Sequence, residues 1–398
     1  PCTETGAEPI RVGVLHSQSG TMAASESPVI DATLVAIGGI NESGGILGRQ
    51  IEAIVADSRS DPAHATQEAE RLIAEEGVQV IFGCWTSACR KSVKPIVEEY
   101  GSLLFYPVQF EGLEESPNIV YTGATPEQQI LPAVQWAFKN LGQRFFLVGS
   151  DYVFPRAANE IIKDHLAELG GQVVGEEYIL LGSEEVDAVV QKVVDAKPDV
   201  ILNTINGDSN LAFFQALRAA GVRSQQIPTL SFSVAEVELQ DMRLEDMVGD
   251  YAAWNYFQSL DTSTNQDFVE RFQARYGDDR VTDDPIEAAY LAVNLWADTV
   301  EKAGTVDVGP VREQLGDARY QAPQGWIRVD PDNQHLWKTV RLGQVNRDGQ
   351  FDIVWESNVD IRHEPFPDTR TEAGWQAFLD DLFDEWNGRW VNPGDTSQ

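Results

Sequence analysis

The sequence is poor in cysteine, basic residues and long apolar runs, and each shortage excludes a class of protein. Three cysteines in 398 residues are too few for a disulfide scaffold. Twenty-nine basic residues stand against 63 acidic ones, a formal net charge of −34, so phosphate backbones and anionic lipid head groups repel the chain. No apolar run approaches the ~18 residues that a membrane-spanning helix needs. Nucleic-acid partners and spanning helices are therefore not expected.

Motifs that carry catalysis or metal binding are also missing. The five histidines never occur at H-x-x-x-H or H-x-H spacing, and the H-E-x-x-H, G-x-S-x-G, P-loop and G-x-G-x-x-G patterns are absent. The turn at 346–349 resembles a calcium loop but lacks the remaining ligands and the glutamate. A catalytic triad can assemble from distant residues, so this argument lowers the expectation of an enzyme without removing it. We expect a protein that is not an enzyme and binds no metal or cofactor.

What is present is the composition of a globular protein with two cores. Hydrophobic residues make up 42% of the chain and charged ones 23%, and the length suits two or three domains. From Ile10 onward, short apolar runs alternate with stretches of helical periodicity, which is typical of βαβ units and a parallel sheet. The strands predicted in this first run are 11–15, 51–56, 78–82 and 103–106.

The alternation begins again after about residue 123, with a helix predicted over 126–141. The strands predicted in this second run are 144–148, 173–179, 199–204 and 227–232. Two such runs predict an α/β fold of two doubly wound lobes. Two further helices (266–276 and 285–303) and a hairpin of 336–342 with 351–355 are predicted after them.

The last segment carries a helical stripe. Trp375, Phe378, Leu382 and Trp386 recur at intervals of three or four, which predicts an amphipathic helix within a C-terminal extension, 363–398, that packs on the body. The alternative is a disordered acidic tail, which would leave several tryptophans exposed.

The cysteines fall in two places. Cys2 lies in a Thr/Gly/Glu stretch that predicts a flexible leader, 1–9; a cysteine there suits the lipid-anchored end of an exported bacterial protein, or is an ordinary tail residue. Cys84 and Cys89 lack partner histidines, so a metal site is weakly supported. The favoured interpretation is two buried or half-buried thiols, with a disulfide between them left open.

In open parallel sheets, ligands bind beyond the carboxyl ends of the strands, and these ends supply a list of candidate residues. In the first lobe they are Trp85, Thr86, Ser87, Tyr106, Gln109 and Glu111. Thr86 and Ser87 precede a helix whose first N–H groups can hold a carbonyl oxygen, although Ser87 could simply cap that helix. Glu111 taken alone is more typical of a solvated surface charge.

The second lobe adds its own strand ends. Its candidates are Tyr152, Asn206, Asp208, Ser231 and Ser233. Asp208 is either the acceptor that selects the ligand or a helix cap. Together the two lobes offer aromatic faces and short hydroxyls with few carboxylates and no lysine, which favours a small, neutral, polar ligand over an anion.

The same stretches resemble a known family. The motifs that carry the resemblance are V-G-V-L-H-S-Q-S-G-T-M-A, F-G-C-W-T-S-A-C-R-K, L-L-F-Y-P-V-Q-F-E-G, V-G-S-D-Y-V-F-P-R, N-T-I-N-G-D-S-N and A-A-W-N-Y-F-Q-S. They are similar to motifs of the urea-binding proteins of bacterial urea ABC transporters, over residues 10 to 362. These belong to the type I periplasmic binding proteins, alongside the leucine/isoleucine/valine and short-chain amide receptors. The amide-sensing relatives have Y-P-T-P-Y-E-G where this chain has Y-P-V-Q-F-E-G, which favours urea.

The resemblance implies two flavodoxin-like lobes joined by a three-strand hinge and closing on the ligand. Lobe 1 would comprise 10–122 and 255–328, and lobe 2 would comprise 123–254 and 329–362. It implies that Ser87 and the peptide groups around Trp85 hold the ligand amide, that Tyr106 and Tyr152 close on its faces, and that the other candidates complete the cage. Its partners would be urea and the membrane permease and ATPase subunits of an ABC transporter. The location would be the periplasm, with an anchor through Cys2.

Two other functions compete with this interpretation. One is an intracellular sensor or receptor for short-chain aliphatic amides with the same fold. The other is an amidohydrolase with Cys84 or Ser87 as nucleophile, for which His16 is the histidine that could approach in space.

Overall fold

The computed structural model describes residues 8–394, so Cys2 and most of the leader lie outside the described residues. The first part of this chain folds as a five-stranded parallel sheet flanked by helices. Its elements are β1 (Ile10–His16), α1 (Ala23–Glu42), β2 (Ile51–Asp57), α2 (Pro62–Ala74), β3 (Ile81–Gly83), α3 (Ser87–Glu99), β4 (Leu104–Tyr106) and β5 (Ile119–Tyr121). The spatial order is β2-β1-β3-β4-β5.

The second part repeats this plan. After a 3-10 turn at Pro126–Gln128, its elements are α4 (Ile130–Asn140), β6 (Arg144–Ser150), α5 (Val153–Leu169), β7 (Gln172–Ile179), α6 (Asp187–Ala196), β8 (Val200–Thr204), α7 (Ser209–Ala219), β9 (Thr229–Ser231), α8 (Glu236–Asp241), α9 (Leu244–Met247) and β10 (Tyr251–Trp254). The five strands β6 to β10 form a parallel sheet in the spatial order β7-β6-β8-β9-β10.

The chain then returns to the first sheet before finishing on the second. The remaining elements are α10 (Ser263–Tyr276), α11 (Asp284–Ala303), α12 (Val308–Leu315), β11 (Arg319–Ala322), β12 (Gly325–Val329), β13 (Leu336–Trp337), β14 (Arg341–Val345), β15 (Phe351–Glu356) and α13 (Glu372–Glu385). Helices α10 and α11 pack on α1, whereas β14 joins β10 antiparallel and extends the second sheet to seven strands. The chain therefore passes between the sheets at 122–129, 255–262 and 338–340, and the predicted α/β fold of two lobes is confirmed.

The predicted hairpin of 336–342 with 351–355 is wrong in its first strand. Leu336–Trp337 pairs with β12, and β14 is the strand that pairs with β15. A single extended run is thus divided between two sheets, because its middle residues cross from one lobe to the other. The helix predicted over 126–141 is likewise interrupted, at Gln129, whose φ of −150° separates the 3-10 turn from α4.

Several helices begin directly after a strand because the sequence supplies an N-cap there. The Asp61 carboxylate accepts from the N–H groups of Ala63 and His64, with Pro62 at the first helical position. The Thr86 hydroxyl accepts from Cys89 N at the start of α3. Capping side chains satisfy N–H groups that no intrahelical carbonyl can reach. These starts lie at the carboxyl edge of the first sheet, where a ligand is expected.

The C-terminal segment packs on the second lobe through α13. Trp375, Leu382 and Trp386 are buried, Phe378 is half-buried, and all belong to or border the cluster that includes α5. The Arg370 guanidinium forms ion pairs with Glu160 and Asp164 of α5. Within the described part of the extension, the helix that the stripe predicts is found over Glu372–Glu385, while 363–371 and 386–394 are not helical. The helix is docked on the body, so the disordered alternative is wrong for it.

Candidate functional site

The carboxyl edges of the two sheets face each other, and side chains bridge the gap between them. Trp85 Nε1 donates to Asn206 Oδ1 across 3.3 Å. Gln109 Nε2 donates to Phe232 O (3.0 Å) and to Ser233 Oγ (2.9 Å). These bonds join loops that follow strands of opposite lobes, so the cleft between the lobes is closed in this structure.

The loop between β3 and α3 is held at both ends. Cys84 and Cys89 form a disulfide across it, which corrects the favoured interpretation of two free thiols. The enclosed residues include Trp85, Thr86 and Ser87, all buried. The cross-link and the Thr86 cap fix the backbone around Trp85, so its peptide groups are preorganised toward the cleft.

Ser87 and Glu111 belong to a buried ionic cluster. The Ser87 hydroxyl donates to Glu111 Oε2 (2.5 Å), and Arg90 places one amino group 2.9 Å from Glu111 Oε1 and its Nε 2.9 Å from Glu114 Oε1. Glu111 is therefore buried and paired, which overturns its interpretation as a solvated charge. Both of its oxygens have partners, so it orients Ser87 and Arg90.

Electrostatics within this cluster keep Arg90 and Glu114 ionised. Burial opposes the charge of Arg90, but Glu114 and Glu111 outweigh that effect and raise the pKa of Arg90 well above its usual value. Burial alone would raise the pKa of Glu114, but Arg90 and Lys91 outweigh it and lower that pKa. The one buried arginine of this region is thus neutralised by two carboxylates and is committed to them.

The two tyrosines come together from opposite lobes. The Tyr106 hydroxyl donates to the carbonyl oxygen of Trp85, and Tyr152 lies at the start of α5 in the cluster that also contains Ala88 of α3. Burial raises the pKa of Tyr152 well above its usual value, and Tyr106 and Glu111 raise it further. Both phenols therefore remain neutral hydrogen-bonding groups at any physiological pH.

The remaining candidates of the second lobe divide into buried and exposed. Asn203 Nδ2 donates to Ser231 Oγ (3.1 Å), and the N–H of Asn206 donates to Ser150 Oγ (3.0 Å). Asp208 instead lies exposed at the start of α7, without a side-chain capping bond. The structure therefore buries every candidate except Asp208, and hydrogen bonds across the cleft join Trp85 to Asn206 and Gln109 to Ser233.

Sequence reasoning missed several polar residues of the cleft. Arg90 was missed because the helical pattern of α3 gives no sign that one arginine is buried. Gln129 was missed because its partners, Phe232 O and Ala253 O, are distant in sequence. His16 and Glu26 form a buried pair at the end of β1. The sequence analysis named His16 only as the histidine of the amidohydrolase alternative; as the last residue of β1 it is also a strand-end residue, like the other candidates.

No group of three or more His, Cys, Asp or Glu side chains within residues 8–394 could hold a metal ion. The helices in that range include none that is both long and apolar enough to cross a membrane.

The family model for the periplasmic binding protein domain matches residues 10–372, nearly the whole described chain. The chain belongs to the periplasmic binding protein family. Its fold is the type I form, and the expectation of a receptor that is not an enzyme is confirmed, because this is a family of solute-binding receptors.

Relatives extend the likeness along most of the chain. The Leu/Ile/Val-binding protein homolog 6 of Brucella melitensis biotype 1 is 24% identical over 357 residues, covering 87% of this chain and 90% of that protein. A solute-binding protein of an ABC transporter from R. palustris, solved with benzoate, superposes with a TM-score of 0.81 at 21% identity, covering 90% of this chain and 99% of that one. A leucine-binding protein of Thermotoga maritima superposes with a TM-score of 0.78 at 22% identity, covering 87% and 98%.

This periplasmic binding protein is therefore an extracytoplasmic solute receptor of ABC transporters, a class that works with permease and ATPase subunits. The solved neighbours have ligands as different as benzoate and isoleucine. The shared fold therefore does not identify the ligand of this chain.

Proposed function

We propose that this receptor captures urea between its two lobes and delivers it to an ABC permease. The observation that carries the proposal is the charge balance of the cleft. Arg90 and Lys91, the two cations beside the candidate loop, are paired with Glu111 and Glu114, so no excess positive charge is left to bind a carboxylate there. Amide, hydroxyl and peptide groups suit a small neutral ligand that donates four N–H groups and accepts at one oxygen.

Selectivity for urea would come from the free-energy cost of leaving buried polar groups of the cleft without a hydrogen-bond partner when an analogue binds. Urea has little apolar surface, so its affinity must come from hydrogen bonds. A buried partner left unpaired costs about 1–3 kcal/mol, which is how such a site rejects analogues. Gln109 Oε1 supports this, since it is buried and has no hydrogen-bond partner among residues 8–394. An N–H donor of the ligand would satisfy it.

The proposed ligand contacts are the buried candidates. They are Trp85, Thr86, Ser87, Tyr106, Gln109, Tyr152, Asn206, Ser231 and Ser233. We propose that lobe 1 comprises 10–122 with 255–337 and lobe 2 comprises 123–254 with 341–362, because Val329 and Leu336 pack in the core of the first lobe and the third crossing lies at 338–340. This moves the boundary expected at 328. We also propose a lipid anchor at Cys2. The second candidate ligand is a short-chain aliphatic amide, favoured by the same Gln109 acceptor, since acetamide also donates N–H groups.

The test is calorimetric titration of the purified receptor with urea, acetamide, formamide, leucine and benzoate. Urea should bind most tightly, with acetamide and formamide weaker and with no heat from leucine or benzoate. Saturable binding of leucine or benzoate without binding of urea would overturn the proposal. A mass measurement on the membrane fraction of the native host, before and after removal of acyl chains, tests the anchor.

A further inference from the structure

A second buried carboxylate lies at the ligand edge of the first lobe. His16 is the last residue of β1, and Glu26 is in the first turn of α1. His16 Nδ1 and Glu26 Oε1 are 2.9 Å apart, and the two side chains are 0% and 2% exposed. The strand end and the helix start meet at the edge where Trp85 and Tyr106 also lie, so the pair belongs to the same cleft.

This pair still has hydrogen-bonding capacity. The contact with His16 is the one hydrogen bond that the Glu26 carboxylate makes within the described chain, although an ionised carboxylate offers about four acceptor positions. His16 Nε2 is buried and has no partner among residues 8–394. Burying polar groups with so few partners is costly, so a further donor at Glu26 would be favoured.

The neighbours of Glu26 connect it to both lobes. Glu26 borders a cavity of about 10 Å³, close to the space of one water molecule, together with Thr86 and Cys89 of the loop proposed to hold the ligand. Across the cleft, its charge contributes to the raised pKa of Tyr152, after burial, Tyr106 and Glu111. The adjacent Ser25 hydroxyl donates to Glu238 of the second lobe (2.8 Å). The first turn of α1 therefore faces the closing lobe.

The other candidate carboxylates are less suitable. Both oxygens of Glu111 are already engaged, by Ser87 and Arg90, and Asp208 is exposed. We propose that Glu26 is a ligand-binding carboxylate that accepts N–H groups of the solute, and that His16 is the positioning residue that aims it. This inference rests on the proposed cleft and narrows its ligands to N–H donors: urea, primary amides or a primary ammonium group. It excludes simple carboxylate anions.

The experiment compares Glu26→Gln with Glu127→Gln in the full chain, by calorimetry with urea, acetamide, leucine and benzoate. Glu127 is the matched control because it holds a histidine through the same kind of contact, 3.1 Å from His363 Nδ1, at the 122–129 crossing and away from the strand ends. Glu26→Gln should lower the affinity for urea at least tenfold. It should lower the affinity for acetamide less, since acetamide has a methyl group where urea has a second amino group. Glu127→Gln should leave both affinities within twofold.

A second comparison tests the positioning role. His16→Asn keeps a hydrogen-bond donor near the position of Nδ1 and should retain most of the urea affinity. His16→Phe has no such donor and should lose as much urea affinity as Glu26→Gln. Melting curves of all variants identify any that fail to fold. If both His16 variants fold and weaken urea equally, His16 is not a positioning residue.

The outcomes separate this inference from the proposed function. If the wild type binds leucine instead of urea and Glu26→Gln abolishes that binding, the urea proposal fails and the carboxylate stands. If urea binds and Glu26→Gln leaves its affinity unchanged, the urea proposal stands and the carboxylate inference is overturned. Tight binding of benzoate that is unchanged or improved in Glu26→Gln overturns both.

Discussion

Arg90 shows how individual residues keep the floor of the cleft rigid. Its side chain is completely buried, contacts Glu111 and Glu114, and lies with its guanidinium carbon 4.8 Å from the Tyr106 ring centroid and 4.5 Å from that of Phe110. Removing one partner of a buried ion pair leaves an uncompensated charge, which costs far more than the pair itself contributes. Arg90 therefore acts through stability and through the orientation of Ser87.

Arg90→Met should lower the free energy of unfolding by about 3 kcal/mol, because Glu111 and Glu114 lose the cation that they both contact closely and keep only Lys91, 3.9 Å from Glu111 and 3.2 Å from Glu114. The matched control is Arg71→Met, whose ion pairs with Glu68 and Glu76 are about one third exposed; exposed pairs contribute about 0–1 kcal/mol. Because urea is the proposed ligand, guanidinium chloride is the denaturant. Equal losses in the two variants would contradict the assignment.

Glu236 makes stability depend on pH. Burial raises the pKa of Glu236 to about 8, one oxygen accepts from Gln258 N, and the other has no partner among residues 8–394. The folded state therefore binds more protons than the unfolded state between about 4.5 and 8, so stability falls as pH rises through that window, by up to about 1.4 kcal/mol per pH unit for one proton.

Glu236→Gln should remove this contribution. The variant should be more stable than the wild type at pH 8, and the difference should shrink toward pH 5, where the wild-type carboxyl is protonated in the fold. Thermal and guanidinium unfolding at pH 5, 6, 7 and 8 measure it. A difference that stays constant across these pH values would show that Glu236 does not titrate in this window.

At the scale of elements, the C-terminal extension does more than cover an apolar surface. Beyond α13, the N–H of Val153 donates to Trp390 O (3.0 Å), the N–H of Asn392 donates to Asp151 O (3.0 Å), and Tyr152 bridges Val391. Lys91 of the first lobe lies 4.9 Å from the Trp390 ring centroid. This segment thus holds the backbone on both sides of Tyr152.

Two truncations separate these roles. Deletion after Arg362 should lower the melting temperature, because it removes Trp375, Leu379 and Leu382 and exposes the apolar surface of the second lobe that they cover. Deletion after Asn387 keeps α13 and should cost less stability, yet it should weaken the proposed ligand because the Tyr152 loop loses its pairing. Differential scanning calorimetry and urea titration measure the two effects. A shorter deletion that leaves urea affinity intact would show that the segment does not position Tyr152.

At the scale of the whole molecule, three crossings of the chain join the two lobes. A ligand bound in the cleft would contact residues of both lobes. A hinge equilibrium shifts only by the ligand's differential affinity for the closed form. In the closed form, hydrogen bonds from Trp85 and Gln109 link the lobes directly. A bound ligand would add its own contacts to these and so favour the closed form further.

X-ray scattering should therefore show a smaller radius of gyration with saturating urea than without it, the closed form lying near the value of about 21 Å expected for a compact chain of this length. Calorimetry on the same sample establishes that urea is bound. An unchanged radius in a bound sample would contradict ligand-driven closure.

The sequence by itself determined the repeated strand–helix alternation, the two lobes and most of the polar strand ends that face the cleft. These are local properties: hydrophobic periodicity, caps such as Thr86 and the position of a residue at the end of a strand depend on near neighbours along the chain. That is why the candidates around Trp85, Tyr106 and Tyr152 were found in advance, and why the stripe of α13 was recognised.

Only the tertiary structure decided which of those residues are paired and which are free to meet a ligand. The burial of Glu111 beneath Arg90 and the exposure of Asp208 depend on contacts between distant segments. So does the disulfide-closed loop between Cys84 and Cys89 at the cleft. Within residues 8–394, Gln109 Oε1 has no partner and the Glu26 carboxylate makes one hydrogen bond, to His16. The division of 336–345 between two sheets has the same origin, because strand pairing is chosen by the partners available in space. Local pattern sets which residues reach the cleft, and long-range packing sets their charge, their partners and so their chemistry.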